Sequence, residues 1–178
     1  MSMKSLLKPL HDRVMLMVAK GLIRMVDDSG GVQTAQLTLL AGEKRNSAAR
    51  FQSYGVSSVP LTGARAVVVF PGGNRDHPII VAAEDPARRP RNLKPGEVIV
   101  YDDLGQSVHL TRGGIVITGA GKPITITGTP KVRVETALLE VTGEIVDRCD
   151  SSGVSMSGMR STYDGHNHPG DSGGQTGE

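Results

Sequence analysis

Apolar residues near the start of the chain fall at spacings of three and four: Leu6, Leu7, Leu10, Val14, Met17 and Val18. That period predicts a short amphipathic helix around residues 9–19, opened by Pro9, which suits a first helical position. Beyond it the period drops to two. Residues 22–26, 32–39 and about 49–54 read as strands, with the turn chemistry of Asp27-Asp28-Ser29-Gly30-Gly31 joining the first two. An apolar run at 66–70 halts at Pro71-Gly72-Gly73-Asn74, and 78–82 follows as a fifth strand. Five strands in so short a stretch suit a small barrel of OB type, with a small sandwich as the competing architecture.

Residues 86–96 break the sheet pattern with Pro86, Arg88, Arg89, Pro90, Arg91, Lys94, Pro95 and Gly96, and read as a linker. From Glu97 onward, short segments each carry apolar residues two apart. The pairs are Val98 and Val100, Val108 and Leu110, Ile115 and Ile117, Ile124 and Ile126, Val132 and Val134, Leu139 and Val141, Val154 and Met156. Turn signals recur between them, among them Asp102-Asp103, Gly113-Gly114 and Gly119-Ala120-Gly121. The result is a ribbon with one apolar face and no helix to cover it. Alone, it would also expose strand edges that invite aggregation. Three copies wound about a threefold axis remove both problems, because each aliphatic side chain they bury contributes about 1.5–3 kcal/mol before entropy is subtracted. A single-chain β-sandwich is the alternative.

Composition narrows the function classes. Lys and Arg total 20 against 18 for Asp and Glu, so the chain is nearly neutral. It has no Trp, and its aromatic residues are Phe51, Phe70, Tyr54, Tyr101 and Tyr163. A nucleic-acid binder would carry a stronger basic excess and exposed stacking rings, so no nucleic-acid partner is expected. Phe70 sits in an apolar strand and is expected to be buried. Cys149 is the only cysteine, which rules out a disulfide within the chain. It reads as a small buried or half-buried residue. The segment at 14–19 is too short, and too closely followed by Lys20, to read as a normal signal peptide. No apolar run approaches a membrane span. Synthesis and release in the cytoplasm are expected from these two readings, unless a larger particle carries the protein elsewhere.

The ribbon ends at Ser161-Thr162-Tyr163-Asp164-Gly165-His166-Asn167-His168-Pro169. In an extended segment, side chains two apart share a face, so His166 and His168 are candidate metal ligands. On a threefold axis they supply six imidazole nitrogens, a set that suits a six-coordinate ion such as iron(II) better than four-coordinate structural zinc. Gly170-Asp171-Ser172-Gly173-Gly174 spells the pentapeptide around a trypsin-like nucleophile, but only four residues follow it, leaving no chain to build a substrate pocket. It reads as a Gly/Ser tail. The tripeptide His166-Asn167-His168 likewise lacks the long unit that an HNH nuclease needs.

The order of these parts resembles the central spike family of phages Mu and P2, also called baseplate assembly protein V. The run at 66–73 followed by Pro78-Ile79-Ile80-Val81 is similar to the Mu-type barrel. Asp102-Asp103-Leu104-Gly105-Gln106 is similar to the opening of the Mu-type shaft, and residues 162–169 to its tip. The resemblance implies an all-β homotrimer: an N-terminal segment at 1–19, an OB-fold barrel at 20–90, an intertwined triple-stranded β-helix at 91–160 and a metal-bound apex at 161–178. It implies one iron ion per trimer, held by His166 and His168 of each chain, with calcium and chloride near the apex on ligands not assigned to residues. It implies a structural spike, not an enzyme, assembled in the host cytoplasm and carried in the virion tail baseplate. Its partners would be the baseplate hub and tail tube proteins, and it would pierce the host outer membrane as the tail contracts. A nucleic-acid-binding OB module and a small metalloenzyme at the histidines are the alternative functions.

Overall fold

The computed structural model describes residues 3–166. Helix α1 spans Met3–Met15 and runs through Pro9 rather than starting there. The helix therefore lies earlier than the apolar spacing alone predicts, and Val18 and Ala19 open a strand instead. Strands β1 (Val18–Asp27), β2 (Gln33–Leu39), β3 (Lys44–Arg50), β4 (Arg65–Val69) and β5 (Ile79–Glu84) close a barrel in the order β1-β2-β3-β5-β4. All neighbours are antiparallel except β3 and β5, which run parallel, and β4 returns to pair with β1. This is OB-like strand order.

Alternation explains the barrel wall. Along β2 every second residue, Gln33, Ala35, Leu37 and Leu39, turns into the core. The same inward set includes Ile23, Ala48, Ala66, Val68, Phe70 and Ile80, all buried. Phe70 is 0% exposed, as its apolar strand predicts. The buried polar residue Gln33 is fully engaged: its amide donates to Asp28 (2.7 Å) and to the Ser58 carbonyl (3.2 Å), and its oxygen accepts from Arg50 (2.7 Å). Those partners remove the desolvation cost of a buried amide. β3 lies earlier than the predicted 49–54. Of its residues only Ala48 is buried, so its alternation leaves little apolar trace.

Arg75 works at the α1 side of the barrel. Its Cζ lies 3.8 Å from the Phe70 ring centroid, a cation–π contact. Its guanidinium donates to Glu43 (Nε to Oε1, 3.3 Å) and to the Leu16 carbonyl (3.3 Å). The Arg75 hydrogen bond holds the Glu43 carboxyl below its ordinary range. The turn at Pro71–Gly73 packs against α1 at Gly73, whose φ is +74°.

After the linker, β6 (Val98–Tyr101), β7 (Ser107–Thr111) and β8 (Gly114–Thr118) form an antiparallel three-stranded sheet. The chain divides between Ile124 and Thr125 into two units. In the second, no strand is formed among the described residues beyond a single bridge between Val146 and Ser155. The pairs Ile124 and Ile126, Val132 and Val134, and Leu139 and Val141 thus form no ladder among the described residues. A second helix, α2, spans Met156–Gly165. Met156, read as a strand residue, is its first residue, and 161–165 are helical rather than extended. Ser155 is the reason: its hydroxyl accepts from the Gly158 N–H at 3.0 Å and caps the helix.

Candidate functional site

Two regions carry candidate function: the apolar face of the ribbon sheet and the histidine segment beyond it. The register decides the first. Val98 pairs with Leu110 and Leu110 with Ile115; Val100 pairs with Val108 and Val108 with Ile117. Directly paired residues point to the same side of a sheet, as do residues two apart in a strand. All six aliphatics therefore share one face, arranged in two rows of three. None is buried: Val100 is 68% and Ile115 67% exposed. The aliphatics of the second unit repeat this condition, with Ile126 67% exposed. Every buried hydrophobic among the described residues lies in or beside the barrel, between Ile23 and Ile80.

The opposite face of the sheet is different. Ile99, His109 and Val116 form one of its rows. Beside them Glu97 accepts backbone hydrogen bonds from Lys94 (2.9 Å) and Arg112 (3.2 Å), and its carboxylate lies 3.7 Å from His109 Nε2. The Lys94 N–H, with Arg112 and His109 adding to it, holds the Glu97 carboxyl below its ordinary value. Arg112 also donates to the Pro95 carbonyl. This polar knot fastens the linker to the first hairpin. The aliphatic periodicity gives no hint of it, since its members are the residues skipped when one face is read. The Asp102-Asp103 turn is tied by Asp102, which accepts from the Leu104 and Gln106 N–H groups, each at 2.9 Å.

Of the predicted metal ligands, His166 is exposed and caps the end of α2; His168 lies outside the described residues, as do Asn167 and Ser172. The His166 ring packs against Tyr163 with centroids 5.0 Å apart, and its Nδ1 faces the Tyr163 carbonyl oxygen. Among the described residues no group of three or more His, Cys, Asp and Glu is placed to hold a metal. Imidazole nitrogens are a donor type that suits a transition-metal ion. Cys149 is exposed, not buried or half-buried as the sequence predicts.

A barrel of OB-like order leads to a three-stranded β-sheet whose aliphatic face stays exposed among the described residues. Comparison with known proteins places the chain. Residues 20–87, the barrel, match the family described as Bacteriophage Mu Gp45, N-terminal. The chain is 34% identical over 189 aligned positions to the baseplate puncturing device gp45 of Escherichia phage Mu, covering 99% of this chain and 95% of that protein. It is also 34% identical over 117 positions to the Mu-like prophage FluMu protein gp45 of Haemophilus influenzae, covering 66% of this chain and 64% of that one. The chain belongs to the Mu-type baseplate spike family. No described helix is long and apolar enough to cross a membrane.

Proposed function

We propose that three copies of this chain form the puncturing spike of a contractile phage-tail baseplate, and that the spike acts mechanically on the host outer membrane without catalysis. The observation that carries this reading is the six-aliphatic face of β6, β7 and β8, uncovered in one chain. The phage Mu relative, a baseplate puncturing device, supports it. Sheath contraction supplies the force, and the spike must transmit it without fraying. Three ribbons closed around one apolar axis would bury their aliphatics and pair their free strand edges, giving a stiff prism. The second unit would complete its strands from neighbouring chains.

At the apex, His166 and His168 of three chains would hold one iron ion through six imidazole nitrogens, as the donor chemistry allows. When bound, the ion ties three thin ends together where packing area is smallest. The assembled spike would sit against the baseplate hub and tail tube in the virion, after assembly in the host cytoplasm.

Sedimentation of the purified protein tests the trimer, and elemental analysis of the same sample tests the apex. A trimer with one iron per three chains is expected. A monomer with intact β-structure would overturn the assembly. Replacing both histidines, His166→Ala with His168→Ala, should remove the metal and leave the trimer; unchanged metal content would place the ligands elsewhere.

A further inference from the structure

Helix α2 has ten residues, Gly158, Ser161 and Thr162 among them, and buries none of its side chains. A helix of that length and composition is marginal by itself. Ser155 caps its start, and a neighbouring segment supports one flank. There Glu144 accepts hydrogen bonds from Ser157 and feels the charge of Arg160, which hold its carboxyl below the ordinary range. The apolar residues lie to another side. Met156, Met159 and Tyr163 are spaced three and four apart and so form one stripe, left uncovered with Met159 49% and Tyr163 74% exposed. His166, the residue after the helix, is the next step in that spacing. Its ring packs against Tyr163 with centroids 5.0 Å apart, which sets it on the stripe side.

We propose that the α2 helices of three copies pack along this stripe as a parallel collar, with Met156, Met159 and Tyr163 as its seam and the three His166 rings meeting at its end. The inference rests on the trimeric spike reading and adds to it the contact that positions the histidines. Two features select a second copy as the occupant of the stripe. The first is charge. In parallel helices with this spacing, Arg160 at the edge of one seam faces Ser155 at the edge of the next. Arg160 is the one charged residue on the stripe and its edges, and Glu144 of its own chain answers it, so identical copies meet without a clash of like charges. The second is the direction of the stripe, which runs onto a histidine. Identical helices packed along it bring two further imidazoles beside His166, a donor set that suits a transition-metal ion and that an unrelated partner does not supply. Tyr163 is then a positioning residue, since its ring lies between the seam and the His166 ring.

The test uses the full chain with Cys149→Ser, so that an introduced cysteine is the only one. Met159→Cys places a thiol in the seam, and Ser161→Cys places one on the far side of the helix. Mild oxidation should join pairs of chains through position 159 and leave position 161 unjoined. Met156→Gln together with Met159→Gln keeps good helix formers but makes the seam polar. Sedimentation of that variant should still show the trimer, while titration with iron(II) alone should show binding weakened by about tenfold or more. Met159→Leu keeps the seam apolar and should bind iron(II) as wild type does. A trimer in which position 159 joins no better than position 161 overturns the collar and leaves the spike reading standing. So does a glutamine variant that binds iron(II) as tightly as wild type. A trimer joined at position 159 that binds no iron(II) upholds the collar and removes the metal from the spike reading. A wild-type monomer in sedimentation overturns both, so the failures are told apart.

Discussion

The barrel and the ribbon are built from similar residues and reach opposite states. In the barrel, each strand's apolar side faces a common interior, and closure through the β1–β4 ladder leaves Ile23, Leu37, Val68, Phe70 and Ile80 with almost no exposed surface. In the ribbon, three strands lie in equally good register, yet none of the aliphatics on their shared face is buried among the described residues. Hydrogen-bonded order and burial are therefore separable. A sheet that closes on itself finishes its core within one chain, while an open sheet of three short strands needs another surface.

The largest effect should come from placing charge on the ribbon's open face. Ile117→Asp would carry a carboxylate into the proposed interchain core three times over, at a cost of at least about 3 kcal/mol per chain and so about 9 kcal/mol per trimer. Sedimentation should show loss of the trimer, with the barrel's far-UV signal retained. A trimer of undiminished stability would mean the face looks to solvent in the assembly as well. The mirror experiment is Phe70→Ala. It should destabilise the barrel by about 3–5 kcal/mol in urea unfolding, because a large side chain is removed from a closed core. Here the effect must not depend on protein concentration; if it does, the barrel too draws its stability from neighbouring chains.

The same contrast sets what could be read from the sequence. β2 was legible because Ala35, Leu37 and Leu39 alternate with Gln36 and Thr38, and β6, β7 and β8 because their aliphatic pairs repeat two apart. β3 was placed too late because Lys44, Arg45, Asn46 and Ser47 open it without an apolar residue; its membership is enforced by pairing with β2 and β5, not by its own composition. α2 was missed for a different reason. Val154 and Met156 mimic strand alternation, and the competing signal, a serine cap at Ser155, is a single residue. At the tip, the spacing of His166 and His168 was legible as donor chemistry, and of the two only His166 lies among the described residues. The Glu97 knot was hidden because its contacts join the linker to β7 and the turn after it, across a separation that no local period records.

A smaller perturbation probes the seam between α1 and the barrel. Gly73→Ala adds a methyl group 2.6 Å from the Arg13 carbonyl at a residue whose φ is +74°. Both the clash and the left-handed conformation oppose it, and a loss of about 1–3 kcal/mol is expected. The barrel should remain folded with α1 displaced, seen as faster amide exchange over residues 10–16 than in wild type. Unaltered exchange there, together with unaltered stability, would show that the helix does not depend on this contact.

The mildest test concerns the base of the ribbon and is read as a pH dependence. Glu97 accepts backbone N–H groups from Lys94 and Arg112, which favour its charged form, and its carboxyl is held below the ordinary value of 4.5. A group whose folded pKa is depressed contributes stability that is complete above the unfolded value and disappears as pH falls through the folded one. The contribution should therefore be constant near neutrality and fade from about pH 4.5 downward. Glu97→Gln keeps an oxygen acceptor but loses the charge, so it should be less stable than wild type at pH 7. The difference should shrink as acid protonates the wild-type carboxyl, and the two unfolding midpoints should converge at the acid end. A gap that stays constant from pH 7 to below the folded pKa would mean that packing, not charge, accounts for Glu97. The ribbon base would then be held like the barrel, by shape, and the contrast between the two regions would be confined to the aliphatic face.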